Sequence, residues 1–173
     1  MTLLINKAKV SALLQVAIGI EDADFNKFIE EAQKFDFKPL VCEEFFFDIL
    51  KNKAEEPYLK LINGGSYEYN DKDYEFDGIA GVLAYFTYAR FYLNSPTVST
   101  SHGIVEKTTP YSKPVDLEER RNTYYKKQKE ANVLMADVVK YIDRNIEFFP
   151  SFNCNSLCGS SKQNKSFTTT VIQ

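Results

Sequence analysis

From Asp77 to Asn94 the sequence reads as a helix with almost no polar side. Ile79, Val82, Leu83, Phe86 and Leu93 fall on one flank, Tyr85, Tyr88 and Tyr92 elsewhere, and Arg90 is the one strong charge. A helix of that kind has to be surrounded, so the other elements must pack on it. With 173 residues there is room for one such core, residues 1–150, and arms. Arg90 inside it is expected to snorkel outward or pair with a nearby carboxylate.

The surrounding elements can be read from their periods. Residues 22–35 place Phe25, Phe28, Ile29, Ala32 and Phe35 at helical spacing, with Asp22 or Asp24 available as the N-cap. Pro39 can open a second helix running to about Asn52 through Leu40, Val41, Phe45, Ile49 and Leu50, so the two form a helical hairpin. A short helical turn, residues 58–62, is stopped by Gly64 and Gly65. Ser66 to Tyr69 and Asp73 to Phe76 alternate polar and aromatic residues around Asn70-Asp71-Lys72, which spells a small β-hairpin. The last helix should run from about Val115 to Ile146, densely charged at first and then striped by Leu134, Met135, Val138, Tyr141 and Ile142. A helix that long in a small domain must project or lie on a neighbour.

Residues 95–114 hold Pro96, Pro110 and Pro114 and are too long for a casual connector. Thr97 to Lys107 has strand character around Gly103, which suggests an extended arm that pairs outside its own core. Residues 151–173 form a Ser/Asn/Thr-rich tail whose Phe167 to Ile172 stretch has high β propensity, a second candidate for strand addition. The fold class expected is therefore mainly α: about four antiparallel helices, a small β-hairpin, a long extended loop and a C-terminal arm.

Fourteen Phe and eleven Tyr are more rings than one small core readily hides, so some should lie between subunits. The net charge of −3 excludes a polycation built to neutralise phosphates. That charge is uneven: residues 21–56 carry eleven acidic side chains against five Lys, residues 86–130 eight basic against five acidic. Copies could associate by setting the basic side of one against the acidic side of the next, if these are not simply solvated helix faces. The apolar run from Val10 to Ile20 loosely imitates a signal peptide, but Gln15 interrupts it and Glu21, Asp22 and Asp24 follow, so the chain is expected to be soluble, made in a cytoplasm and away from membranes. Three cysteines, Cys42, Cys154 and Cys158, make no disulfide framework and fit a reducing compartment.

No catalytic constellation emerges. The single histidine, His102, stands in the proline-bounded loop beside Ser99 and Ser101, and proximity in an extended loop does not aim a base at a nucleophile. Gly78-Ile79-Ala80-Gly81 lacks the Lys-Ser/Thr of a P-loop and the dinucleotide fingerprint, and reads as packing glycine. Cys42, His102, Cys154 and Cys158 have no metal-ligand spacing, and Asp71, Asp73, Glu75 and Asp77 do not match a calcium loop. The chain is expected to be no enzyme and to use neither cofactor nor metal.

The run from Gly78 to Phe91 (GIAGVLAYFTYARF), followed by Ser101 to Lys107 (SHGIVEK) and Ser112 to Asp116 (SKPVD), resembles the head-to-tail adaptor proteins of tailed bacteriophages, of the kind infecting Bacteroides-type hosts and including crAss-like phages. The resemblance covers about residues 3–150. It implies a helical adaptor assembled as a dodecameric ring in the virion neck, below the portal protein and above the next tail or neck ring protein, with packaged DNA passing through its lumen. The residues expected at the contacts are Tyr85, Tyr88 and Tyr92; Thr97, Val98, His102, Ile104, Val105 and Lys107; Arg120, Arg121, Lys126 and Lys127, facing the lumen or an acidic neighbour; and Phe167, Val171 and Ile172. The competing reading is a host-directed or regulatory protein-binding module that uses the same aromatic surface.

Overall fold

A computed structural model of the chain describes residues 2–17, 19–101, 103–106 and 115–152. Over these it is mainly helical: α1 (Lys7–Leu13), α2 (Asp22–Glu31), a π-helical segment (Ala32–Phe37), a 3-10 turn (Lys38–Leu40), α3 (Glu43–Asn52), α4 (Tyr58–Asn63), α5 (Gly78–Asn94) and α6 (Leu117–Arg144), closed by two further 3-10 turns (Ile146–Phe148 and Pro150–Phe152). Two antiparallel hairpins interrupt the helices, β1–β2 (Gly65–Tyr69, Lys72–Phe76) and β3–β4 (Thr97–Thr100, Gly103–Glu106).

The all-apolar helix is central, as its composition requires. Ile79, Val82, Leu83, Ala84, Phe86 and Ala89 of α5 are sealed from solvent, and α1, α2, the π segment, α4 and α6 all pack on it. α6 lies along α5, burying Ala131, Met135, Val138, Tyr141 and Ile142, with Leu134 reaching to within 3.7 Å of where a Cβ on Gly81 would sit. Its start is fixed by Asp116, whose side chain accepts from the Glu118 N–H at 3.2 Å, satisfying one of the free amides of the first turn.

The first helix is an addition to the expected four. Asn6 accepts from the Lys9 amide at 3.0 Å to start α1, Val10 is fully buried, and the helix ends at Leu13, so the apolar run that imitates a signal is broken midway. Lys7 donates to the Ile20 carbonyl and lies 3.2 Å from Asp22, tying α1 to the start of α2. Neither Asp22 nor Asp24 is the N-cap: Glu21 holds that position, and the two aspartates sit in the first turn, where they favour the helix dipole. Among the described residues no helix is long and apolar enough to cross a membrane.

The helical hairpin is present, but its joint differs from the expected one. After Glu31 the chain widens into π geometry, which adds a residue to the turn and rotates the following side chains. Phe37 takes the buried position, while Phe35, expected in the core, is 57% exposed. The same segment buries Gln33, whose amide donates to the Thr2 carbonyl at 2.8 Å and accepts from the Leu4 N–H at 2.9 Å. Pro39 occupies the 3-10 turn and not the first turn of α3, because Val41 and Cys42 are extended and helical geometry resumes at Glu43.

Hairpin β1–β2 turns through Asn70 and Asp71, both at positive φ (52° and 58°), the mirror-type turn whose twist matches its strands. At its neck Gly64 (φ 78°) and Gly78 (φ 68°) bring two backbones together; a Cβ on Gly78 would lie 2.3 Å from the Gly64 nitrogen. Only glycine meets both demands.

Beyond α6 the chain folds back. Phe149 is fully buried against Phe45, Tyr58 and Tyr141, and Phe152 lies 5.0 Å from Phe45. Asp48 of α3 accepts from Asn52 (2.7 Å), Ser151 (2.6 Å) and the Tyr58 hydroxyl. Burial alone would raise the Asp48 pKa, but those hydrogen bonds and the nearby Lys51 outweigh it and hold the carboxyl below its usual range. Tyr58, buried and beside that carboxylate, is pushed up to about 12. No disulfide framework is expected of the three cysteines; Cys42 is disulfide-bonded.

Candidate assembly surfaces

The rings divide unequally between core and surface. Phe25, Phe37, Phe45, Phe46, Phe76, Phe86, Phe91, Phe149, Tyr58 and Tyr141 are buried. Phe47 (54%), Phe148 (50%), Tyr69 (38%) and Tyr125 (62%) join Phe35 in solvent. Stacking explains how so many fit: Phe28 meets Phe25 and Phe91 edge to face, Phe25 lies tilted on Phe91 at 5.4 Å, and Phe76 lies flat on Tyr141 at 4.2 Å.

Tyr85, Tyr88 and Tyr92, expected at contacts, are half-buried on α5, with Tyr85 and Tyr88 packed against the chain's own core. Tyr88 stacks on Tyr92 at 5.9 Å, and the Lys127 ammonium sits 5.0 Å from the Tyr85 ring and 6.0 Å from that of Tyr88. Burial raises the Tyr88 pKa, helped by Tyr92 and opposed by Lys127. Lys127 also pairs with Glu130 at 2.7 Å. It is therefore already partnered within the chain.

Arg120, expected to face the lumen or an acidic neighbour, is turned inward in the chain. It is 5% exposed, donates to the Leu93 carbonyl at 3.1 Å and pairs with Glu106 of β4, so it faces inward and clasps the hairpin to the junction of α5 and α6. Its Nε is buried without a partner among the described residues. Position 120 lies on the α5-facing side of α6, one turn from Tyr124; Arg121 and Lys126 lie on the open side.

Arg90 does pair as expected. Its guanidinium meets both Asp36 oxygens, at 2.5 and 3.0 Å, and Glu31 at 3.3 Å. Asp36 holds its pKa above the ordinary value, burial notwithstanding. The π segment is what swings Asp36 toward α5, a placement no helical count anticipates.

Hairpin β3–β4 confirms strands where the loop reading expected an arm. Thr97 pairs with Glu106 and Thr100 with Gly103. Thr97 is exposed and donates to the Asn94 carbonyl at 2.8 Å; Val105 is 45% exposed. Val98 pairs with Val105, and Ser99 with Ile104. Among the described residues the ribbon is two-stranded, and no third strand pairs with either of its edges. His102, Lys107, Phe167, Val171 and Ile172 lie outside the described residues.

The model of a family of unknown function, DUF6712, matches residues 37–162. No curated protein and no solved structure matches the chain.

Proposed function

The chain belongs to the DUF6712 family, and within that family we propose that it is a non-enzymatic structural subunit: a virion head-to-tail connector that forms a ring below the portal and joins it to the tail. The observation that carries this reading is the β3–β4 ribbon. It leaves the helical body at Asn94, has no third strand on either edge among the described residues and is clasped at its base by the Arg120–Glu106 pair. An arm of that form suits strand addition to another chain. The open flank of α6, where Tyr125 and Val133 stand 62% and 65% exposed, supplies a second surface that a lone domain does not use. The sequence resemblance to phage adaptors gives these surfaces their partners: other copies, the portal and the next neck ring.

In this role no bond is made or broken. Each copy contributes a rigid α5–α6 core and presents arms to its neighbours, and a stable contact of this kind buries about 1,200 to 2,000 Å². The test is a reconstruction of the particle that carries this protein together with its portal. Density for a ring of this subunit at the portal vertex is the expected result. Its absence from particles, with the chain captured instead on a host protein, sinks the connector and leaves the binding module.

A further inference from the structure

Opposite charges lie on hairpin β1–β2, which packs at the C-terminal end of α6, and on one exposed flank of α6 nearer its start, past the acidic first turn of Glu118 and Glu119. At the C-terminal end, hairpin β1–β2 turns Tyr67, Tyr74 and Phe76 toward Tyr141 and Arg144. Its other face shows Ser66, Glu68, Asp73 and Glu75, all exposed. The register sets Glu68 directly opposite Asp73, with Glu75 on the diagonal. Like charges so placed destabilise a sheet, and none of the three makes an ion pair among the described residues.

Toward its other end, α6 exposes Arg121, Tyr125, Lys126, Lys129 and Val133 along one flank. Steps of three and four residues keep them on one stripe. The three cations are likewise without ion pairs among the described residues. Lys126 and Arg144 are separated by about 27 Å of helix at 1.5 Å per residue, well beyond the screening length of about 8 Å at physiological salt. The acidic face and the basic stripe therefore cannot neutralise each other within one copy.

Their spacings agree. Successive cations rise about 4.5 and 7.5 Å along the helix, and the carboxylates stand about 5 Å apart across strands and about 7 Å along one. Tyr125 and Val133 give the stripe an apolar component that a surface for phosphates alone does not need. We infer that the acidic face of hairpin β1–β2 in one copy docks on the Arg121–Val133 stripe of α6 in the next. The contact is heterologous, using different patches on the two partners, and so propagates from copy to copy, closing into a ring where the rotation between copies returns to its start. It rests on the connector reading by naming the contact that builds its ring.

The test uses the full chain in sedimentation velocity at low and high salt. Wild type associates with rising concentration and dissociates as salt rises. Arg121→Glu/Lys126→Glu/Lys129→Glu and, separately, Glu68→Lys/Asp73→Lys/Glu75→Lys each weaken association tenfold or more. Mixing the two variants restores it, because the reversed stripe of one now meets the reversed hairpin of the other. All six positions are exposed, and an unchanged circular dichroism spectrum confirms the fold. A monomeric wild type, variants that associate like wild type, or a mixture that fails to recover overturns the contact. So does a stripe that binds short duplex DNA at low salt without self-association. Each of these leaves the connector to stand or fall on the particle reconstruction, whereas absence from particles with the charge swap intact removes the connector and keeps the contact.

Discussion

The two hairpins are built alike and held differently. Each is a short antiparallel ribbon joined to an end of α5, yet among the described residues β1–β2 is anchored by rings and β3–β4 by a charge pair. Tyr67 and Phe76 pack on Tyr141 at 4.9 and 4.2 Å, and the Arg144 guanidinium covers Tyr74 at 3.9 Å while donating to the Tyr67 hydroxyl at 2.8 Å. The second ribbon is clasped through Arg120 to Glu106, whose side chain remains 46% exposed. Apolar burial is non-directional and is not screened by salt as an ion pair is, so it fixes a ribbon as part of the core. A clasp with one solvent-exposed partner can be loosened without unfolding the helices, which is what an arm that re-pairs with another chain requires.

The comparison breaks most severely at the neck of the first hairpin. Gly78→Ala places a Cβ 2.3 Å from the Gly64 nitrogen at a φ of 68°, and should cost on the order of 3 kcal/mol or more in urea denaturation. A loss below about 1 kcal/mol would mean that the neck relaxes and is no rigid part of the core.

Next in size is the contrast between the anchors themselves. Tyr141→Ala empties the space between Phe76, Tyr67 and Phe149 and should cost about 3 to 4 kcal/mol globally. Arg120→Ala should cost about 1 kcal/mol globally, since Glu106 is left in water, not in the core. Its main effect should be local: faster amide exchange in β3 and β4 with α5 and α6 unchanged. Equal global losses would show that the second ribbon is as much core as the first.

A smaller effect separates the ring-held end by pH. Asp48 is held below its ordinary pKa, so its contribution is present above the unfolded carboxyl pKa of about 4 and fades as pH falls through the folded value. Tyr58 is raised to about 12, so its contribution is intact below about 10 and is lost as pH climbs through 12. Asp48→Asn should lower stability near neutrality by about 1 kcal/mol, with the difference from wild type closing in acid. A difference that persists unchanged at pH 2 would mean that the carboxylate's charge is not what holds Ser151 and Tyr58.

Much of this fold was legible because it is periodic. The α5 sequence has no polar side and therefore had to be central; the alternation around Asn70 and Asp71 had to be a hairpin; the stripe from Leu134 to Ile142 had to face a core. What period could not reveal was a change of period. The π segment shifts the register by a residue, which exposes Phe35, buries Phe37 and Gln33, and delivers Asp36 to Arg90. Arg120 and Arg121 are adjacent in a basic run, and only the phase of a 28-residue helix decides which turns inward. Arg121 and Lys126 were marked by charge alone, whereas the acidic face needed the cross-strand register that sets Glu68 against Asp73.

The smallest effect serves as the control for the rest. Thr87 lies midway along α5, fully buried, and its hydroxyl has no hydrogen-bond partner among the described residues. Val has the same shape without the hydroxyl, so Thr87→Val removes an unsatisfied polar group and opens no cavity. It should stabilise the chain by up to about 1 kcal/mol. Because α5 underlies both ends of the molecule, the gain should appear equally in the amide protection of β1–β2 and of α6, while β3–β4, which opens locally, should not follow. Destabilisation by Thr87→Val would mean that the hydroxyl bonds to a carbonyl of its own helix. A gain shared by β3–β4 would mean that the second ribbon opens only with the whole fold, and the distinction between the two anchors would fail.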